Sequence, residues 1–130
     1  MRIVGIDHIA VNVKNLEESV KFYRDILGFK QLDTIEMDDG FSITYMQTPD
    51  GAKMELFDYK GKSPEREKPE AEVGLRHLAF QVEDVAEHEK ELRAAGVTIT
   101  LPTCELPSLG VRVLLFLDPN GVTLEFCEKL

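Results

Sequence analysis

Nowhere does the sequence hold a run of about 18 apolar residues, so a membrane-spanning helix is not expected. Cysteine is scarce. Cys104 and Cys127 are too few for a disulfide framework and too far apart for a CxxC metal or redox motif, which leaves two ordinary thiols. Positive charge is also in short supply: 15 Lys and Arg stand against 24 Asp and Glu, the net charge is −9, and the basic residues are scattered. Such a surface repels phosphate backbones and anionic lipid heads, so nucleic acid and membranes are poor partners. The opening residues, Met1 to Asp7, carry no cationic segment followed by an apolar one, which predicts a soluble, cytoplasmic protein.

What is present is apolar material and an internal repeat. The chain has 130 residues, of which 43% are hydrophobic, enough to bury a core without disulfides or a structural metal. Gly5-Ile6-Asp7-His8-Ile9-Ala10-Val11-Asn12-Val13 matches Gly74-Leu75-Arg76-His77-Leu78-Ala79-Phe80-Gln81-Val82, with Gly, His, Ala and Val in register from position 8 to position 77. Pro49-Asp50-Gly51-Ala52-Lys53-Met54-Glu55-Leu56 then matches Pro119-Asn120-Gly121-Val122-Thr123-Leu124-Glu125-Phe126, from position 55 to position 125. Two matches in the same order at nearly equal offset indicate two copies of one module.

Periodicity gives each copy the order βαβββ. Ile9, Val11 and Val13 alternate as in a strand; Asn15 is a candidate cap for a helix carrying Leu16, Val20, Tyr23 and Leu27, which Gly28 closes. Strands follow over Phe29 to Glu36, Phe41 to Gln47 and Lys53 to Tyr59, separated by Asp39-Gly40 and Pro49-Asp50-Gly51. The second copy places strands over Leu75 to Val82, Val97 to Leu101, Val111 to Leu117 and Val122 to Cys127, with a helix from Val85 to Ala95 ended by Gly96. The expected organisation is an α+β fold of two modules, 1–60 and 74–130, joined by a charged, proline-containing linker over 61–73.

Side chains alternate along a strand, so His8 shares a face with Ala10 and Asn12, and His77 with Ala79 and Gln81. Glu55 and Glu125 sit among large apolar residues on the last strand of each copy, where a carboxylate needs a partner or an outward face. A pseudo-twofold arrangement would gather His8, Glu55, His77 and Glu125 into an N2O2 set suited to one divalent ion such as Ni, Co, Zn, Mn or Fe. His88, within Glu87-His88-Glu89-Lys90, reads as part of a solvated helix face. Asn12, Tyr45, Gln47, Gln81 and Arg112 are equally readable as site lining or as ordinary strand positions.

The His8-x-Ala10 strand, Phe22-Tyr23 with Leu27-Gly28-Phe29, and the Asp118-Pro119-Asn120-Gly121-x-x-x-Glu125 ending resemble the vicinal oxygen chelate superfamily of glyoxalases, bleomycin resistance proteins and extradiol dioxygenases. The resemblance covers essentially the whole chain, and in length and ligand order it is closest to bacterial lactoylglutathione lyases. It implies a cup of strands around a metal held by His8, Glu55, His77 and Glu125, in a homodimer. It also implies a glyoxalase I-like lyase or isomerase, acting on the hemithioacetal of a 2-oxoaldehyde such as methylglyoxal and a thiol such as glutathione. The hemithioacetal becomes a 2-hydroxyacyl thioester by proton transfer through a metal-bound enediolate, with Glu125 or Glu55 as base.

One departure bears on the thiol: Asn12 stands where bacterial lactoylglutathione lyases usually carry an arginine. The same proton chemistry would serve a methylmalonyl-CoA epimerase, whose strands the His8 and His77 segments also resemble. An Fe(II) extradiol dioxygenase would use His8, His77 and Glu125 as a facial triad, but the remaining histidine, His88, is on a helix. An antibiotic-binding protein of the same superfamily would not require all four ligand-type residues.

Overall fold

The structure is a computed structural model that describes residues 1–68 and 70–130; Pro69, within the expected linker, lies outside them. Two compact units result, Met1–Pro64 and Glu65–Leu130. Each carries one four-stranded mixed sheet, so the expected α+β class and the repeated four-strand modules are what the chain adopts. Among the described residues no helix is long and apolar enough to cross a membrane.

In the first unit, β1 (His8–Val13), β2 (Lys30–Glu36), β3 (Ser42–Gln47) and β4 (Lys53–Asp58) lie in the order β1-β4-β3-β2, with β1 parallel to β4 and the other pairs antiparallel. Asn15 caps α1 (Leu16–Lys21) as expected, its side chain accepting the Glu18 N–H at 3.0 Å. The helix does not run on in the same form. Over Phe22–Ile26 it widens to a π turn, with the Leu27 N–H donating to the Phe22 carbonyl at 3.1 Å. The turn carries two adjacent aromatic side chains that are both buried, Phe22 and Tyr23, with Tyr23 packed against Phe29. The core beneath is read straight across the strands, Ile9 beside Met54 beside Met46 and Val11 beside Leu56 beside Thr44. The opposite parity, His8, Ala10, Asn12, Tyr45 and Glu55, lies on the other face.

The second unit repeats the plan with β5 (Leu78–Gln81), β6 (Ile99–Leu106), β7 (Val111–Leu117) and β8 (Thr123–Lys129) in the order β5-β8-β7-β6. Its helix, α2 (Val85–Ala94), is capped by Asp84, and Glu128 reaches from β8 to accept the Val85 N–H at 3.0 Å. Val85, Leu92, Leu114, Phe116, Leu124 and Phe126 form the core between helix and sheet. β6 runs five residues past the Leu101 end that the sequence suggests. Pro102 lacks an N–H, but β6 is an edge strand and its pairing with β7 shifts register between Leu101 and Cys104, so no ladder bond is required of it. β5 begins three residues later than expected, after Gly74 and an exposed Leu75. The segment before it is fastened to this unit: the Thr123 hydroxyl donates to the Glu70 carboxylate at 2.9 Å, and Arg76 donates to the Glu70 carbonyl at 2.7 Å.

Equivalent hairpin turns fix the last strand of each unit. In the first, the Gly51 N–H donates to the Thr48 carbonyl and the Ala52 N–H to the Thr48 hydroxyl; in the second, Asp118 accepts the Asn120 and Val122 N–H groups at 2.8 Å. Gly51 and Gly121 take φ values of 93° and 82°, the left-handed conformation these turns need. A one-residue slip at either turn would send the glutamate to the core face.

Candidate metal-binding site

The register places each glutamate at one address in its sheet. Glu55 lies between Ala10 on β1 and Tyr45 on β3, and Glu125 lies between Ala79 on β5 and Leu115 on β7. The small alanine opposite leaves room for the histidine two residues earlier to lean over. His8 Nε2 is 3.5 Å from Glu55 Oε1, and His77 Nε2 is 2.9 Å from Glu125 Oε2. The structure therefore brings the four expected residues together as two His/Glu pairs, one per unit. Among the described residues no three His, Cys, Asp or Glu side chains gather as a metal group.

Each pair has the dimensions of a half-site. Two donor atoms held at about 2.1 Å from one ion and about 90–110° apart lie about 3.0–3.4 Å from each other, close to both observed separations. The glutamates are well shielded, with side chains 11% and 16% exposed, a position that a carboxylate keeps only with a cationic or hydrogen-bonding partner. His77 Nδ1 is buried without a hydrogen-bond partner. These observations fit a divalent ion taking both members of each pair.

The two pairs differ in their surroundings. His8 Nδ1 is 2.7 Å from the Asp7 carboxylate. That hydrogen bond, with the charge of Glu55, raises the His8 pKa above the usual histidine value, and the same contact lowers Asp7. A carboxylate on the far nitrogen is the usual means of fixing the tautomer and orientation of a ligating imidazole. Tyr45 also belongs to this site. Burial, then the charge of Glu55 and a hydrogen bond to it, pushes the Tyr45 hydroxyl above its ordinary value.

Of the other candidates, Asn12 and Gln81 share the faces of the histidines and are exposed. Arg112 belongs elsewhere. It lies opposite Glu105 and Glu128 in register, bonds both carboxylates at 2.6 and 2.7 Å, and projects from the face opposite Glu125. His88 is not simply solvated: its ring lies 5.4 Å from that of Phe126, on the helix side of the sheet. Phe41, Phe57 and Tyr59, which the sequence did not single out, form a stacked cluster with centroids 5.0 to 6.3 Å apart. Phe57 shares the face of Glu55, and strand parity alone could have found it.

Comparison with known proteins gives the family. The chain is 30% identical to the lactoylglutathione lyase of Haemophilus influenzae, over 94% of this chain and 90% of that one. It is also 30% identical to the mitochondrial methylmalonyl-CoA epimerase of Dictyostelium discoideum, over 95% of this chain and 78% of that one. A glyoxalase family protein of Enterococcus faecalis superposes with a TM-score of 0.85 at 29% identity, covering 98% of this chain and all of that one. The model of the Glyoxalase/Bleomycin resistance protein/Dioxygenase superfamily matches residues 5–126, and the chain belongs to that superfamily.

Proposed function

We propose that the protein is a metal-dependent, glyoxalase I-like isomerase in which His8, Glu55, His77 and Glu125 hold one divalent ion. The observation that carries this reading is the pair of His/Glu half-sites at equivalent register, with Nε2 to carboxylate distances of 3.5 and 2.9 Å. The ion, when bound, polarises vicinal oxygens of the substrate and so acidifies the adjacent C–H. The chain supplies the base. Glu125 takes the hydrogen from the sulfur-bearing carbon of a hemithioacetal as a proton and returns it to the neighbouring carbon. The first carbon's hydroxyl gives up its proton and becomes the thioester carbonyl, and the second carbon's carbonyl oxygen takes up a proton in its place and becomes the hydroxyl, so no proton is gained or lost overall. The shielding of both carboxylates keeps water from competing for that proton.

Epimerisation of an acyl-CoA thioester uses the same abstraction and return at carbon. It is favoured as a second reading by the identity to the Dictyostelium epimerase and by Asn12, which offers an amide rather than a cation to the carboxylates of glutathione. Purified protein should contain a divalent metal and convert methylglyoxal in the presence of a thiol, assayed with glutathione and several alternatives. Inactivity with every thiol, together with deuterium exchange at the α-carbon of an acyl-CoA, would replace the first reading with the second.

A further inference from the structure

The first unit holds its histidine within the strand ladder, and the second does not. His8 belongs to β1 and is paired in register with Lys53, whereas β5 begins at Leu78, paired with Leu124, so His77 stands one residue outside the ladder. The repeat places Thr123 where the first unit has Lys53, and Arg76 where it has Asp7. We infer that Thr123, Glu70 and Arg76 are positioning residues: they form a latch that holds His77 in place as a ligand, as the ladder and Asp7 hold His8. This rests on the proposal that the His/Glu pairs bind an ion.

Two hydrogen bonds close the latch. The Thr123 hydroxyl donates to Glu70 Oε1 at 2.9 Å, and the Arg76 guanidinium donates to the Glu70 carbonyl at 2.7 Å. Thr123 shares the face of Glu125, two residues before it on β8, and is only 3% exposed, whereas Lys53 at the equivalent place is exposed. A hydroxyl buried to that degree needs its partner, so the bond to Glu70 is not a loose surface contact. Glu70 thereby joins β8 to the residue immediately before His77, across the step where the ladder stops. His8 has a further fixed point in the bond from its Nδ1 to Asp7 at 2.7 Å; among the described residues His77 Nδ1 has no partner of that kind. The direction of the His77 ring therefore depends on how its backbone is held, by the latch on one side and by β5 on the other. Outer hydrogen bonds that orient a ligand commonly contribute about 10- to 100-fold to metal affinity, and a latch that acts through the backbone belongs at the lower end.

The test uses Co2+ alone as probe, with affinity read by competition against a chelator where far-UV circular dichroism shows each variant folded. The imidazole resonances of the metal-free protein are followed by NMR. Thr123→Val removes the hydroxyl and keeps the β-branched shape, and Glu70→Ala removes its acceptor. Glu70 is exposed, so its variants carry the test should the buried Thr123→Val fail to fold. Each change should weaken Co2+ binding by about 10-fold and move the ring resonances of His77 while leaving those of His8 in place. Glu70→Gln keeps an acceptor oxygen and should retain most of the affinity. Thr123→Val combined with Glu70→Ala should lose little more than either alone, because both break one bond. Undiminished affinity in Glu70→Ala, or a loss that leaves the His77 resonances unmoved, overturns the latch while leaving the metal site standing. Wild-type protein that takes up no Co2+ overturns the metal reading, and with it the role of the latch.

Discussion

At the scale of single residues, the two glutamates present the same chemistry in different settings, and that difference predicts unequal consequences of one substitution. Glu→Gln keeps an oxygen near the ion and removes the basic oxyanion. Glu125→Gln should lower turnover by about 10²- to 10⁴-fold, the usual contribution of a general base, while reducing metal affinity less. Glu55→Gln should show the reverse balance, with metal affinity falling further than turnover at saturating metal. The readout is solvent deuterium entering the substrate carbon during turnover, alongside metal content. Full activity in both variants, with product formed and no deuterium incorporated, would rule out proton abstraction by either residue. Incorporation of molecular oxygen into a ring-opened catechol would point to dioxygenase chemistry instead.

At the scale of elements, α2 is tied to its sheet by a carboxylate remote from the His/Glu pairs. Glu89 sits beside the Thr103 hydroxyl, accepts the Thr103 N–H at 2.8 Å, and pairs with Arg93 at 2.6 Å, so its pKa falls from 4.5 to about 2. A carboxylate whose pKa is depressed on folding adds stability above its unfolded value and loses it as the pH falls through the folded one. Glu89→Gln should therefore destabilise the protein by about 1–3 kcal/mol at pH 7. The gap from wild type should close between pH 4.5 and about 2, as measured by urea denaturation across that range. A constant gap down to pH 2 would show that the charge is not what holds the helix. This tie joins residues 14 apart and was not legible in the sequence, where Glu89 reads as one of several charges on a helix face. What was legible follows from period and punctuation: the alternating strands, the Asn15 cap and the Asp-Pro-Asn-Gly turn. What was not legible depends on neighbours brought in by the fold. The π turn at Phe22–Ile26 goes with the burial of Phe22 and Tyr23 in the folded unit, the extension of β6 past Pro102 depends on its being an edge, and the place of Arg112 depends on the carboxylates across the strands. The four His and Glu were singled out because the repeat doubled a weak signal, and the structure pairs them within each unit. Tyr45 was visible only as one strand residue among several, because the repeat puts Leu115 in its place.

At the scale of the whole molecule, the core and the His/Glu pairs lie on opposite faces of the same sheets, which separates what holds the fold from the proposed metal ligands. The apolar core layers, Val11, Tyr23 and Leu56 in one unit and Leu92, Phe116 and Leu124 in the other, include no member of the His/Glu pairs, and Glu55, though buried, lies on the opposite face of its sheet. Chelation should leave the far-UV circular dichroism spectrum intact, and added metal should raise the unfolding free energy only by linkage, about 2.7 kcal/mol at a free concentration of 100 Kd. The stoichiometry then discriminates between ligand sets. If each His/Glu pair were completed by water and bound its own ion, elemental analysis would find two ions per chain. If all four residues serve one ion, it finds one. That count is the same whether the pairs meet within one chain or are exchanged reciprocally between two copies in the expected homodimer, so it tests the ligand set independently of assembly. One ion per chain in the wild type, with marked loss of metal in either His8→Ala or His77→Ala, is the expected result. Two ions in the wild type, with exactly one retained in each variant, would show that the half-sites act separately and that the shared four-ligand site is wrong.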